Sequence, residues 1–345
     1  MRVGIVGTGL IGASIGLGLR RAGHHVTGWD PDRSVLERAV DEGALDEASG
    51  DLGELVGSSP QVLFVAAPFA ATVDLLATID HEGLIVDVTG VKGPVVAAGR
   101  RLSRFVATHP MAGRETTGPE AASGALFSGA AWIVVEDVGS AEDRAVVADL
   151  IGDLGATPVP MRAADHDAAV ARISQLPQIL AASLVTLAAE DDTALDLAAG
   201  SFRDLTRVAA SDPHAWLELL AANRRELGAA VDRLMDLLDE TRVALGSGRL
   251  EGLEDRLVEA RRIRQAMAPP VVPVRIAIAD RPGELAKVGR ALAASGVDVR
   301  DLQLRHATYG GGGILTISVR PGEAGTLVQA LVGEGLMLTE DDRAT

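Results

Sequence analysis

The 345-residue sequence contains no cysteine, which excludes a disulfide framework, a thiolate metal site and a cysteine nucleophile. Aromatic residues make up only 3% of the chain, so its cores must be built from alanine, valine, leucine and isoleucine. Basic residues are also few, because 32 Lys and Arg stand against 48 Asp and Glu and give a formal net charge of −16. This charge argues against nucleic acid or an anionic membrane surface as a partner.

Two more features are missing. The N-terminus shows no signal-peptide pattern, and no apolar run reaches the length of a membrane span. We therefore expect a cytoplasmic protein that does not bind a membrane. The hydrophobic fraction of 47% is ample for real cores, and the length predicts two or three domains.

A glycine-rich turn at the start of the chain is the most informative motif. It follows an apolar strand at residues 2–6 and opens a predicted helix at residues 11–21. In the G-x-G-x-x-G pattern, the first glycine allows a tight turn, the second lets a pyrophosphate approach the backbone, and the third lets helix and strand pack closely. The free N–H groups of the helix would then face the phosphates. The predicted nucleotide-binding residues are Gly7, Thr8, Gly9, Leu10, Ile11 and Gly12.

Asp30 ends the next predicted strand, 23 residues after Gly7. A carboxylate there would accept hydrogen bonds from the adenosine ribose hydroxyls and would repel a 2′-phosphate, so the pattern predicts NAD rather than NADP. Arg33 lies close by in sequence and leaves NADP as an alternative. A glycine turn in another kind of α/β protein is the alternative to a dinucleotide site.

The first part of the chain, residues 1–161, alternates short β-rich runs with helical stretches, which is typical of a Rossmann-type parallel sheet covered on both faces. Ligands in such sheets bind beyond the carboxyl ends of the strands. We therefore expect Ala67 and Pro68 to contribute to the cofactor crevice. The predicted strands are Val3–Val6, Val26–Trp29, Val62–Ala66, Leu84–Val88, Phe105–Thr108 and Trp132–Val135.

Strand signals vanish in residues 162–267, where long helical patterns predict an all-α substrate and dimerisation domain. Its predicted helices are Ala164–Ala189, Asp191–Leu197, Pro213–Gly246 and Leu250–Met267. An apolar stripe on the third of these favours both core packing and a homodimer interface. Residues 268–273 form a proline-rich linker, and residues 274–345 show a βαββαβ order that is typical of a ferredoxin-like domain.

His109 follows the fifth predicted strand, at the rim of the expected crevice, and begins the segment His-Pro-Met-Ala-Gly. Histidine has the pKa range of a general base at neutral pH. The position alone leaves a structural and a catalytic histidine equally open.

Five blocks in order resemble the prephenate/arogenate dehydrogenase family, the oxidoreductases of tyrosine biosynthesis. In chain order, the blocks are Asp87–Gly93; His109–Gly113; Asp165–Asp167 with Ile173–Gln178; Gly200–Arg207; and Ser211–Pro213 with Trp216. The resemblance implies an NAD-dependent oxidative decarboxylation of prephenate, with arogenate dehydrogenase as the alternative. A small-molecule substrate and no metal are implied.

The resemblance also implies roles for individual residues. His109 would take the proton of the substrate ring hydroxyl, and Arg207 would pair with the ring carboxylate, for which a guanidinium fork is well suited. Gly200 and Trp216 would shape the pocket, Trp216 from the partner subunit. Glu115 would lie near the substrate side chain, and Lys92 would support the crevice wall.

Three positions depart from the family pattern. Gly90 stands where the family has a serine, so the neighbouring Thr89 either supplies the hydroxyl or leaves His109 without that bond. Gln175 and Gln178 replace two histidines near the substrate side chain, which leaves the choice between a keto-acid and an amino-acid side chain open.

The C-terminal segment Asp280-Arg281-Pro282-Gly283-Glu284-Leu285 precedes a predicted helix and resembles the ACT domain, a small regulatory module. The resemblance implies tyrosine as an effector held by Asp280, Pro282, Gly283, Glu284 and Leu285. A domain that only dimerises is the alternative.

Two other functions were weighed. A β-hydroxyacid dehydrogenase needs a catalytic lysine on the helical domain, and residues 164–267 contain none. An amino-acid sensor on an inactive scaffold is supported only by the three departures. The His166-Asp167 pair is the nearest candidate for a metal site, and we expect it instead at a helix start.

Overall fold

The computed structural model describes residues 1–113, 116–267, 271–306 and 312–339. The chain divides into two compact units, Met1–Leu238 and Asp239–Thr345, whose boundary falls inside one helix. Glu115 and residues 268–270 of the expected linker lie outside the described residues.

The first unit is built around an eight-stranded sheet in the order β3-β2-β1-β4-β5-β6-β7-β8. Its strands are β1 Arg2–Val6, β2 His25–Trp29, β3 Glu47–Ala48, β4 Val62–Val65, β5 Leu84–Asp87, β6 Phe105–Pro110, β7 Ala131–Val135 and β8 Thr157–Met161. The first six run parallel, which confirms the Rossmann-type sheet. β7 runs antiparallel to β6 and parallel to β8, so the expectation of an all-parallel sheet is wrong for the last two strands.

Strand β8 is not predicted from the sequence because prolines occupy two of its five positions, 158 and 160. Proline has no N–H to donate to a neighbouring strand. It is tolerated in β8 because this strand lies at the edge of the sheet and pairs on one side.

Six helices accompany this sheet, and apolar side chains fill both of its faces. In β4, Val62 and Phe64 belong to the core on one face, whereas Leu63 and Val65 belong to the core on the other. The few aromatic residues are concentrated here, because Phe64, Phe105, Phe127 and Trp132 are all buried. The helices are α1 Leu10–Arg21, α2 Arg33–Asp41, α3 Leu52–Gly57, α4 Phe69–Thr78, α5 Gly93–Gly99 and α6 Ala141–Asp153.

The helical region that follows has shorter elements than predicted. They are α7 Ala163–Val170, a wider π-type turn at Ala171–Gln175, α8 Leu176–Ala188, α9 Asp192–Asp196, α10 Gly200–Thr206, α11 Pro213–Ala222 and α12 Arg224–Ser247. The predicted single helix over residues 213–246 is broken at Asn223. The buried Asn223 amide Nδ2 donates to the Asp167 carbonyl at 2.9 Å and to Gln175 Oε1 at 2.8 Å. These two bonds hold the break against α7 and the wider turn.

One helical stretch in the described part of the chain, Ala163–Ala188, is long and apolar enough to cross a membrane by length and composition alone. The expectation that no run reaches this length is therefore wrong. The stretch also carries His166, Asp167 and Gln175, which are buried and hydrogen-bonded within the first unit.

The second unit holds the end of α12, α13 Glu251–Met267 and a four-stranded antiparallel sheet in the order β10-β11-β9-β12. Its other elements are β9 Val272–Ile278, α14 Glu284–Ser295, β10 Asp301–His306, β11 Gly313–Val319, α15 Ala324–Gly333 and β12 Met337–Leu338. The βαββαβ order and this strand order are those of a ferredoxin-like fold. β9 begins at Val272, so the strand takes in two residues expected in the linker.

Candidate active site

A crevice of about 690 Å³ opens at the carboxyl ends of β1, β2 and β4. Seven of the predicted cofactor residues line it: Gly7, Gly9, Leu10, Ile11, Asp30, Ala67 and Pro68. Thr8 and Gly12 are buried beneath it. The crevice lies where ligands bind in sheets of this type, beside the glycine turn that would hold the phosphates of a dinucleotide.

The three glycines of the turn meet different surroundings. Gly7 has φ +86°, and a side chain there would collide with the Ala66 carbonyl at 2.5 Å. A side chain at Gly12 would collide with the Gly7 carbonyl at 1.9 Å. Nothing lies within 4 Å of the place where a Gly9 side chain would begin. Gly7 and Gly12 are therefore required by the fold, whereas Gly9 leaves open space for a ligand.

Gly9 provides a test of this space. Replacing Gly9 with alanine is expected to leave the melting temperature unchanged and to weaken NAD binding at least about tenfold, the value of one lost hydrogen bond to a charged group. Titration calorimetry with NAD measures the affinity. Gly152→Ala, in α6 and equally unobstructed, is the matched control and should bind NAD normally. Equal NAD affinity of Gly9→Ala and the unmodified protein would contradict a pyrophosphate position over Gly9.

Asp30 is held at the crevice by backbone groups. The Thr8 N–H donates to its Oδ2 at 2.8 Å, and the Asp32 N–H donates to its Oδ1 at 2.9 Å. Each carboxylate oxygen keeps a further acceptor position for ribose hydroxyls. Arg33, which left NADP open, pairs with Glu37 at 2.9 Å on the exposed surface.

His109 lies on β6, where the strand reaches the same edge of the sheet. The strand is anchored by its neighbour Thr108, whose hydroxyl donates to the Asp87 carbonyl at 2.6 Å and accepts from the Trp132 indole at 2.9 Å. Gly90, in the loop after β5, faces the ring, because a side chain there would begin 3.7 Å from His109 Nε2. The family serine position is thus beside the histidine, and here it holds no hydroxyl.

A buried ion pair supports this loop from below. Lys92 Nζ contacts both Asp87 oxygens, at 2.9 and 2.8 Å, and neither side chain is exposed. Burial lowers the pKa of Lys92, and the attraction of Asp87 opposes this effect. Lys92 is fully buried and does not line the crevice, so its expected support of the crevice wall could only come from beneath the loop and stays a prediction.

His166 and Asp167 are the fourth and fifth residues of α7, so neither lies at the start of its own helix as expected. His166 Nε2 lies 2.9 Å from His109 Nδ1, and His166 Nδ1 lies 2.8 Å from Asp167 Oδ1. Asp167 accepts the N–H groups of Lys92 and Gly93 at 2.8 Å each, and it thereby caps the N-terminus of α5. The adjacent His166 and Asp167 were the sequence feature that could have revealed this network, since both side chains take part in it.

The surroundings of His109 make it a neutral base. Burial, the positive charge of Lys92 and the neighbouring His166 hold the pKa of His109 well below its ordinary value of 6.5. At neutral pH its imidazole is therefore free to accept a proton.

Two of the expected substrate residues have hydrogen-bond partners within the protein. The buried Thr89 hydroxyl donates to Asp87 Oδ1 at 2.6 Å, so it does not replace the family serine beside His109. Gln175 is buried, and its Oε1 accepts from Asn223, which gives it a structural role. Gln178 differs, because its buried Oε1 has no hydrogen-bond partner within the described ranges.

The remaining candidates lie on the helices that follow. Gly200 begins α10, and the exposed Arg207 begins the single 3₁₀ turn after it; both segments pack against α8, which carries Gln178. Trp216 lies half-buried on α11. The same helix contributes Leu219, whose side chain would lie 3.6 Å from a side chain at Gly90. Helix α11 therefore reaches the loop beside His109.

Comparisons with known proteins agree with this arrangement. Residues 15–158 match the prephenate dehydrogenase nucleotide-binding domain, and residues 162–259 match the prephenate dehydrogenase dimerization domain. A probable prephenate dehydrogenase from Streptomyces niveus is 31% identical, with 95% of this chain and 96% of that protein covered.

Two solved structures are similar as well. Prephenate dehydrogenase from Aquifex aeolicus, solved with hydroxyphenyl propionate and NAD+, is 26% identical with a TM-score of 0.73 and covers 78% of this chain and 98% of its own. Synechocystis arogenate dehydrogenase is 28% identical with a TM-score of 0.67 and covers 78% of this chain and 100% of its own. The chain belongs to the prephenate dehydrogenase family.

Proposed function

We propose that this protein is an NAD-dependent prephenate dehydrogenase, which converts prephenate to 4-hydroxyphenylpyruvate and CO2 in tyrosine biosynthesis. The observation that carries the proposal is the position of His109 on β6, hydrogen-bonded to His166 at the sheet edge that also carries the crevice. Family membership and the position of the crevice beside the glycine turn support it.

The reaction needs one proton acceptor and one hydride acceptor. Bound NAD supplies the hydride acceptor. His109 Nε2 takes the proton of the ring hydroxyl as the carbinol carbon becomes a carbonyl. The bond between the ring and its carboxylate then breaks and CO2 leaves. The electron pair of that bond makes the ring aromatic and leaves a phenolate oxygen, which takes back the proton from His109. The chain holds the substrate in line for these steps.

Substrate contacts follow from the resemblance and remain proposals. Arg207 binds the ring carboxylate, while Gly200 and Trp216 shape the pocket, Trp216 from a partner subunit. Glu115 lies near the substrate side chain. A homodimer is favoured by the matched dimerization domain and by the exposed apolar side chains Leu205, Leu217 and Met235.

Arogenate dehydrogenase is the second candidate, and Gln178 favours it. A buried acceptor without a donor costs free energy, and the ammonium group of arogenate is a donor that the keto group of prephenate lacks. Helix α8, which carries Gln178, packs against the segments that carry Gly200 and Arg207, and this packing supports a position of Gln178 near the substrate.

The C-terminal sheet is proposed to be an ACT domain that binds tyrosine. Its support is a small cavity of about 90 Å³ lined by Asp280, Glu284 and Leu285, beside Gly283 at φ +93°. Pro282 precedes that glycine. In the same proposal, residues 1–161 bind NAD, 162–267 bind substrate and dimerise, and 274–345 regulate a soluble enzyme.

The test is formation of NADH by the purified protein with prephenate or arogenate, each with NAD or NADP and with or without tyrosine. We expect turnover of prephenate with NAD. Preference for arogenate would move the assignment to the second candidate, and no turnover of either would overturn both. Inhibition by tyrosine that disappears in Asp280→Ala would support the regulatory site.

A further inference from the structure

Three side chains form a hydrogen-bonded line that leads away from the base. His109 Nδ1 meets His166 Nε2 at 2.9 Å, and His166 Nδ1 meets Asp167 Oδ1 at 2.8 Å. His166 and Asp167 are buried, and the Asp167 oxygens accept from two backbone N–H donors at the start of α5.

This line determines which nitrogen of each ring carries a proton. A carboxylate only accepts, so His166 Nδ1 must be the donor to Asp167. In the neutral ring, His166 Nε2 is then an acceptor, and His109 Nδ1 must donate to it. His109 Nε2 is left with its lone pair, on the side that faces Gly90.

We propose that His166 and Asp167 are positioning residues that fix the tautomer of His109 and receive the positive charge formed on it. The inference rests on the proposed function, because it assigns these residues to the same proton transfer. Neither residue contacts the substrate in this scheme.

The proton steps balance. The substrate O–H bond breaks and an N–H bond forms at His109 Nε2. The N–H bond at His109 Nδ1 then breaks and one forms at His166 Nε2, so that the positive charge lies on His166 beside the Asp167 carboxylate. The proton on His166 Nε2 then returns to His109 Nδ1, and the proton on His109 Nε2 passes to the phenolate oxygen that forms when CO2 leaves, which restores the site. No oxidation or reduction occurs in these transfers.

The loop after β5 explains why this chain depends on the pair. Residue 90 is glycine and offers no hydroxyl, and the Thr89 hydroxyl is bound to Asp87. Within the described residues, the charged and titratable groups that act on His109 are Lys92 from this loop and His166 from α7, with Asp167 bound to the far side of His166. Lys92 disfavours a charge on His109, which makes transfer to His166 useful.

Two substitutions of His166 separate positioning from packing. Both His166→Gln and His166→Leu remove the ring and its bond to Asp167, but only glutamine keeps an oxygen that accepts from His109 Nδ1. We expect His166→Leu to lower kcat about 100-fold or more and His166→Gln to retain kcat within about tenfold of the unmodified enzyme. KM and the NAD dissociation constant should change little in either variant.

Nitrogen-15 spectra of histidine-labelled protein give the second readout, with the His109 signals assigned from their loss in His109→Asn. We expect a protonated Nδ1 and a bare Nε2 on His109 in the unmodified protein and in His166→Gln, and the opposite tautomer in His166→Leu. Equal loss of kcat in both variants, or a protonated Nε2 on His109 in the unmodified protein, would overturn the inference. Failure of the unmodified protein to oxidise prephenate or arogenate would overturn the function, while the spectra would still decide the tautomer.

Discussion

Replacing His109 with asparagine is expected to lower kcat by about 10²- to 10⁴-fold, the usual contribution of a general base, while NAD binding is unchanged. Asparagine keeps polar atoms near the strand end but cannot take a proton at neutral pH. Steady-state kinetics with prephenate and calorimetry with NAD measure the two effects. His81→Asn, in the loop before β5 at the opposite edge of the sheet, is the matched control and should keep full kcat.

The same histidine predicts the pH dependence. A base works in its neutral form, and the pKa of His109 lies well below 6.5, so the acid limb of kcat/KM should lie below pH 6.5. A limb at or above pH 6.5 that vanishes in His109→Asn would contradict the proposed surroundings of the ring. Full activity of His109→Asn would remove it from the mechanism altogether.

Replacing Lys92 with methionine is expected to lower the free energy of unfolding by about 3–5 kcal/mol, the usual cost of leaving a buried charge without its partner. Asp87 keeps donors from Thr89 and the Thr108 N–H, but the cation at 2.8 Å is lost. Urea denaturation measures the change. Arg262→Met breaks an exposed pair with Glu259 and should leave the urea transition where it is.

This substitution also moves the pH profile. The charge of Lys92 lowers the pKa of His109, so its removal raises that pKa and shifts the acid limb of kcat/KM to higher pH. Arg262→Met should show no such shift. If Lys92→Met unfolds at the same urea concentration as the unmodified protein and keeps the same acid limb, the buried pair contributes neither to stability nor to the pKa of His109.

Much of the first unit could be predicted from the sequence because its signals are local. An apolar run followed by G-x-G-x-x-G specifies strand, turn and helix within 20 residues, and the crevice forms where expected. The direction of β7 could not be predicted, because an apolar run has the same composition in either direction. The prolines of β8 hid an edge strand, and Asn223 hid a helix break that depends on distant partners.

The site was predicted as a set of positions rather than as a set of contacts. His109 and Gly90 lie side by side, as the resemblance implied. The burial of Lys92, Thr89 and Gln175 depends on elements far away in the chain, so their sequence neighbours did not reveal it. His109 and His166 are also far apart in the chain, separated by 57 residues, and only the packing of α7 brings the two rings together.

The cap that Asp167 places on α5 comes from 74 residues later in the chain. During synthesis, the sheet with its glycine turn therefore emerges while the first N–H groups of α5 still lack this carboxylate. At that stage His109 likewise has no His166 ring beside it, because α7 has not yet been synthesised. A nascent chain that ends before α7 would hold the nucleotide-binding turn but an unfinished base, so catalytic competence would arise late and in a single docking event.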